Sequence, residues 1–162
     1  MNIRGAEVGD LEAITEIYNE AIRTSTATFD TEPKTRDEQV LWFESHGATH
    51  PILVADLDGT IAGWSCVSKW SDRCAYSETV EVSFYVEQGH RGQGIGKKLM
   101  QAIIEEARRL GFHSLIAQIT EGSEQSIYFC KSMGYVHAGT LKEVGRKFDH
   151  LLDVHILQKI LD

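Results

Sequence analysis

Two stretches of the chain carry residue types that could do chemistry. In the first, Gly89-His90-Arg91-Gly92-Gln93-Gly94-Ile95-Gly96-Lys97-Lys98, glycines alternate just where an apolar helical repeat begins at Ile95. Glycine has no Cβ, so successive backbone N–H groups can turn toward one point. A helix starting there adds unpaired amides and the positive end of its dipole. Such a loop suits a pyrophosphate, with Arg91 and Lys97 as charge-assisted partners or as ordinary solvated cations. The plainer alternative is a tight connection between two packed elements. Neither GxxxxGK[ST] nor GxGxxG is present, which disfavours a nucleotide triphosphatase. In the second stretch, Thr79-Val80-Glu81-Val82-Ser83-Phe84-Tyr85-Val86, a carboxylate interrupts an otherwise strand-like run. An unpaired carboxylate in an apolar central strand is costly, and burial raises its pKa toward that of a useful base. Otherwise Glu81 lies at an edge or pairs with a core arginine.

The elements that must position these residues follow from periodicity. A short strand at Asn2 to Ala6 precedes a helix with Asp10 as N-cap, its apolar face set by Leu11, Ile14, Ile17, Tyr18, Ala21 and Ile22. A second helix is expected near Thr35 to Ser45, carrying the apolar residues Val40, Leu41 and Phe43. Strands at Ile52 to Asp56 and Ile61 to Ser68 flank Asp58-Gly59, a strong hairpin signal. The stripe Ile95, Leu99, Ala102, Ile103, Ala107 and Leu110 predicts a helix ended by Gly111. A strand at Ser114 to Thr120, a helix at Ser123 to Met133, and strands at Tyr135 to Leu141 and Leu152 to Leu157 complete an α/β pattern.

Composition narrows the function classes. The 162 residues suit one domain, and 24 acidic against 16 basic residues oppose the phosphate neutralisation that nucleic-acid binding requires. Cys66, Cys74 and Cys130 form no CxxC pair and are odd in number, which fits a reducing cytoplasm rather than a disulfide framework. No run approaches the ~18 apolar residues of a membrane span. The seven histidines show no metal-ligand spacing, so no metal is expected.

Arg91-Gly92-Gln93-Gly94-Ile95-Gly96 resembles the R/Q-x-x-G-x-G/A coenzyme A loop of the GNAT superfamily of N-acetyltransferases, with the expected strand before it and helix after it. The resemblance covers most of the chain. It points to the phosphinothricin and methionine sulfoximine acetyltransferase branch through Thr24 to Phe29, Trp70 to Tyr76, Thr79-Val80-Glu81 and Gly145 to Val154. It implies an α/β fold in which helices flank both faces of a mixed, largely antiparallel central sheet. It also implies a single N-acetyltransferase domain over residues 1–162, acetyl-CoA as co-substrate, a small amino-acid-like amine as acceptor, and a homodimer.

Site roles follow from the same resemblance. Phe84, Tyr85 and Val86 would offer backbone groups to the pantetheine arm as an added strand would, although Phe84 and Val86 also suit the core. Acyl transfer from a thioester needs an uncharged amine, and Glu81 matches the residue that takes the proton. Cys130 stands where many relatives have a tyrosine acid for the departing thiolate, and is otherwise a small buried residue. Ser123 replaces an asparagine that contacts coenzyme A, and acts as a donor, as an N-cap or as both. Arg73 and Tyr76 match a loop whose guanidinium suits a carboxylate or phosphinate, against a plain exposed loop arginine. Phe29 walls the pocket or joins the core, Val82 and Ser83 border the acceptor, and Lys147 lies in a segment that reaches a partner subunit's site. Leu151 stands where that branch usually carries tryptophan, which leaves specificity open. The competing functions are N-acetylation of a peptide, polyamine or antibiotic amine, and a non-catalytic acyl-CoA sensor.

Overall fold

The computed structural model describes residues 1–162. Seven strands form one sheet in the order β1-β2-β3-β4-β5-β7-β6. They are β1 (Asn2–Gly5), β2 (Ile52–Leu57), β3 (Thr60–Lys69), β4 (Thr79–Val86), β5 (Ser114–Thr120), β6 (Val136–Lys147) and β7 (His150–Ile160). Four helices pack on it: α1 (Leu11–Thr24), α2 (Arg36–His46), α3 (Ile95–Arg109) and α4 (Glu124–Ser132). All pairings are antiparallel except β4 with β5. The expected mixed, largely antiparallel sheet is therefore present.

Side-chain alternation sends successive residues of a strand to opposite faces, and the two faces bury different helices. Val80 and Val82 of β4 join Leu115, Ala117 and Ile119 of β5 beneath the α3 stripe Leu99, Met100, Ile103 and Ala107. On the other face Trp64 and Cys66 of β3 meet Ile14 and Ile17 of α1, with Trp42 and Phe43 of α2 packed against them. Helices thus cover both faces, as the resemblance implied. Glu81, Ser83 and Tyr85 fall on the α1 and α2 face because they alternate with Val80, Val82 and Phe84.

Three sequence expectations need correction. Asp10 does not cap α1 with its side chain. Its carboxylate accepts from the Glu7 N–H (2.8 Å) and from both terminal nitrogens of Arg4 (2.8 and 3.0 Å), which also reaches Asp56. The Arg4 contact holds the Asp10 carboxyl below its ordinary range, since an adjacent guanidinium favours the anion. Leu41, expected on the apolar side of α2, is 67% exposed. The last two strands are longer than their apolar cores. They meet at a hairpin whose turn residues, Phe148 and Asp149, both have left-handed φ, and a bulge interrupts β6 between Leu141 and Gly145. Asp153 organises that bulge by accepting from the Glu143 N–H and the Lys142 ammonium, each at 2.7 Å.

Candidate active site

β4 and β5 pair in parallel only at Thr79↔Ser114, Val80↔Leu115 and Glu81↔Ile116. Beyond Glu81 the two strands part, while β4 stays paired to β3 as far as Val86. The gap opens a cleft of about 350 Å³ whose walls include Glu81, Ser83, Phe84, Tyr85, Gln118 and Ser123. Val82 and Phe29 also border it. In the parting segment, β4 presents backbone toward the gap with no β5 partner, which suits an extended ligand adding itself as a strand.

Glu81 stands where the strands part. Its Oε2 accepts a hydrogen bond from Gln118 Nε2 at 2.8 Å. Burial raises its pKa, an effect that the Gln118 donor partly opposes by favouring the charged form. No basic residue lines the cleft, so no cation is at hand to quench a carboxylate acting as proton acceptor. Gln118 was missed in the sequence. The available signal was a polar residue alternating with Ala117 and Ile119 in a buried strand.

At the far end of β4 stands the glycine loop. Gly92 and Gly94 have φ of 78° and 81°, a left-handed region that costs other L-residues about 1–2 kcal/mol. Gly94 occupies the N-cap position of α3 with no side-chain cap and no acidic residue in the first turn. The first-turn amides of α3 are thus left for a ligand, as a phosphate site requires. Gln93 and Lys97 are exposed around this end, and Gly96 lies in the first turn. Ile95 enters the core, leaving only its backbone to the loop. The Arg91 guanidinium folds back, its Nε donating to the Val86 carbonyl at 3.3 Å. His90 pairs with Glu87 at 2.6 Å rather than standing free.

The remaining expectations divide. Phe84 packs on Phe129 with centroids 5.3 Å apart, and Val86 packs against the core below α3, so both core and cleft readings hold for Phe84. Ser123 sits at the α4 N-cap position, but its hydroxyl makes no cap bond. The N-cap reading therefore fails, and the hydroxyl is left to the cleft it lines. Cys130 does not reach the cleft: it is fully buried in the core, where burial pushes its thiol up to about 11. Arg73 and Tyr76 lie on the loop between β3 and β4, outside the cleft of this chain. Lys147 is also outside it, buried and bonded to the Thr28 carbonyl.

A second network was not foreseen. The Tyr18 hydroxyl donates to Asp30 and lies 2.9 Å from the Thr28 hydroxyl, while Asn19 exchanges two hydrogen bonds with the Lys34 backbone. Thr120 Oγ1 donates to the Thr26 carbonyl at 2.7 Å. These contacts fix the segment between α1 and α2, which carries Phe29, over the cleft.

A parted parallel strand pair, a carboxylate at the fork and a glycine-capped helix beyond it accord with one family. Residues 12–135 match the Acetyltransferase (GNAT) family. The chain belongs to the GNAT acetyltransferase family. It is 35% identical to the L-amino acid N-acyltransferase MnaT of Escherichia coli (strain K12), over 100% of this chain and 95% of that protein. It is likewise 35% identical, with the same coverage, to the L-methionine sulfoximine/L-methionine sulfone acetyltransferase of Salmonella typhimurium. Among solved structures it resembles a GNAT superfamily phosphinothricin acetyltransferase from Sinorhizobium meliloti in complex with AcCoA. There the TM-score is 0.95 at 33% identity, covering 99% of this chain and 88% of that one. This GNAT chain is accordingly an acetyltransferase.

Proposed function

We propose that this protein transfers the acetyl group of acetyl-CoA directly to the amino group of a small amino-acid-like acceptor. The observation that carries the proposal is Glu81, a desolvated carboxylate at the fork between β4 and β5, one strand's length from the glycine loop. The structure fits the co-substrate. The uncapped α3 terminus with its left-handed glycines suits the pyrophosphate, and the β4 backbone from Ser83 to Val86, which has no β5 partner on its open side, suits the amide-bearing pantetheine arm. Ser123 offers its hydroxyl from the opposite wall.

In this mechanism Glu81 accepts a proton from the ammonium of the acceptor, or from the nitrogen as its bond to the acetyl carbon forms. Gln118 holds the carboxylate in place. No side chain becomes acylated, and Cys130, buried away from the cleft, neither attacks nor protonates the departing thiolate. Phe29, Val82 and Ser83 border the acceptor. Because no cation lines the cleft, an anionic group on the acceptor would be met by Arg73 from the neighbouring loop or by a second copy. A homodimer is part of the proposal. It is supported by Leu141, Val144, Phe148 and Leu151, four large side chains each about half exposed along the β6–β7 hairpin. The chain works as one domain, and three free cysteines support a reducing cytoplasm as its location.

Thiol release from acetyl-CoA across an amine panel tests the proposal. The panel holds phosphinothricin, methionine sulfoximine, methionine sulfone, ordinary amino acids, spermidine and a peptide. Preference for the first three is expected, whereas preference for spermidine or the peptide would refute the acceptor class. Turnover on no amine, with acetyl-CoA still bound, would favour a sensor. The coenzyme half is tested separately by Gly94→Ala, which forces an L side chain to a φ of 81°. Acetyl-CoA affinity measured by calorimetry is expected to fall about five- to thirtyfold, and an unchanged affinity would remove the loop from coenzyme binding.

A further inference from the structure

We propose that Lys147 is a positioning residue for the acceptor site, holding the segment between α1 and α2 so that Phe29 forms the wall of the cleft. This rests on the functional reading above. Lys147 is the last residue of β6 and is 4% exposed. Its Nζ donates to the Thr28 carbonyl at 2.7 Å and lies 5.3 Å from the centre of the Phe148 ring. No backbone amide donates to that carbonyl, so Lys147 alone satisfies it. The next residue, Phe29, lines the cleft, and its ring lies directly over Gly145, two residues before Lys147 on the same strand.

The energetics argue for a geometric role. Burial lowers the Lys147 pKa, and the Asp30 carboxylate only partly opposes the shift. A desolvated ammonium is costly, and an apolar side chain of similar length would commonly be neutral or stabilising in its place. The other ties on this segment run elsewhere, from Tyr18 and Asn19 of α1 to Thr28, Asp30 and Lys34, from Tyr85 of β4 to the Ala27 carbonyl, and from Thr120 of β5 to Thr26. Lys147 is the tie to β6, the strand on which Phe29 rests. Its loss would leave the Thr28 carbonyl unpaired and free Phe29 to lift from Gly145.

Lys147→Met and Lys147→Arg, made in the full-length protein, separate positioning from simple stability. The methionine variant is expected to raise the KM for the acceptor about fivefold. Its KM for acetyl-CoA and its kcat at saturating acceptor should stay within about twofold. Lys147→Arg keeps a donor and is expected to recover most of the acceptor KM. Hydrogen exchange should quicken at residues 25–31 in the methionine variant and nowhere else. An unchanged acceptor KM, or an equal rise in both KM values, would overturn the proposal. The exchange experiment does not depend on turnover. If the wild type acetylates no amine in the panel, the functional reading fails, while unaltered exchange at residues 25–31 would reject the tie itself. Should Lys147→Met not yield folded protein, Lys147→Leu, which also lacks a donor, is measured with the same expectations.

Discussion

Replacing Glu81 with glutamine is expected to lower turnover about 10²- to 10⁴-fold, the usual range for a general base, with acetyl-CoA affinity retained. The substitution keeps the size of the side chain and its contact with Gln118 while removing the proton acceptor. The pH dependence supplies a second measurement. Burial lifts the Glu81 carboxyl above its ordinary 4.5, so the group binds its proton at higher pH than an exposed glutamate does. Only the deprotonated form accepts a proton from the amine. The rate should therefore fall as the pH is lowered through this raised pKa, and the acid limb of kcat/KM should lie above the exposed-carboxylate range. Glu81→Gln should abolish that limb. A variant with full turnover, or with the same acid limb, would take Glu81 out of the chemistry.

The second large effect is expected at Gly145. A Cβ added there would lie 2.1 Å from Cε2 and 2.5 Å from Cδ2 of Phe29, well inside van der Waals contact. Gly145→Ala must move either strand β6 or the ring. Overpacking of this kind costs about 1–3 kcal/mol, readable in denaturant unfolding. The ring is already partly exposed at the cleft, so it would swing into space the acceptor needs. An acceptor KM at least about tenfold higher is expected, because small misplacements near a reacting centre are expensive. Phe29→Ala in the same chain removes the clash. The double variant should regain the stability lost in Gly145→Ala, a coupling that distant, independent sites do not show. Full additivity would mean that the ring does not rest on Gly145.

How far the site was legible depended on how local its cause was. β4 and β5 were bounded correctly at Thr79–Val86 and Ser114–Thr120 because β-branched and apolar residues fill them. The ends of β6 and β7 were not. Lys142 to Lys147 has a single large apolar residue, Val144, and the hairpin is turned by Phe148 and Asp149 rather than by a glycine pair. Those residues are held by cross-strand partners such as Asp153, which no window along the chain can reveal. The same holds for order in the sheet: β5 lies beside β7, not β6, and local pattern carries no trace of that choice. Glu81 was visible as a charge in an apolar strand, but its partner Gln118 is 37 residues away. Lys147 was read as part of a segment that reaches a partner subunit's site, and in this chain it is buried against Thr28, 119 residues distant. For Cys130, position in a family pattern suggested a role that its packing does not support in this chain, whereas Arg73 stands on the loop between β3 and β4 where the same pattern put it.

The three paired residues between β4 and β5 have a mechanical meaning as well. Four antiparallel strands lie on one side of them and three on the other, so the sheet is two ribbons joined along a seam three residues long. Glu81 is the last stitch of that seam. Prying the ribbons apart from the open end would reach this carboxylate before disturbing either ribbon's own hydrogen bonds. Local loosening should therefore first show as an enzyme that remains folded but has lost the alignment between its base and its substrates. The contacts from Thr120 and Lys147 to the segment between α1 and α2 cross the same line. They act as braces for the seam, at a distance from the chemistry they protect.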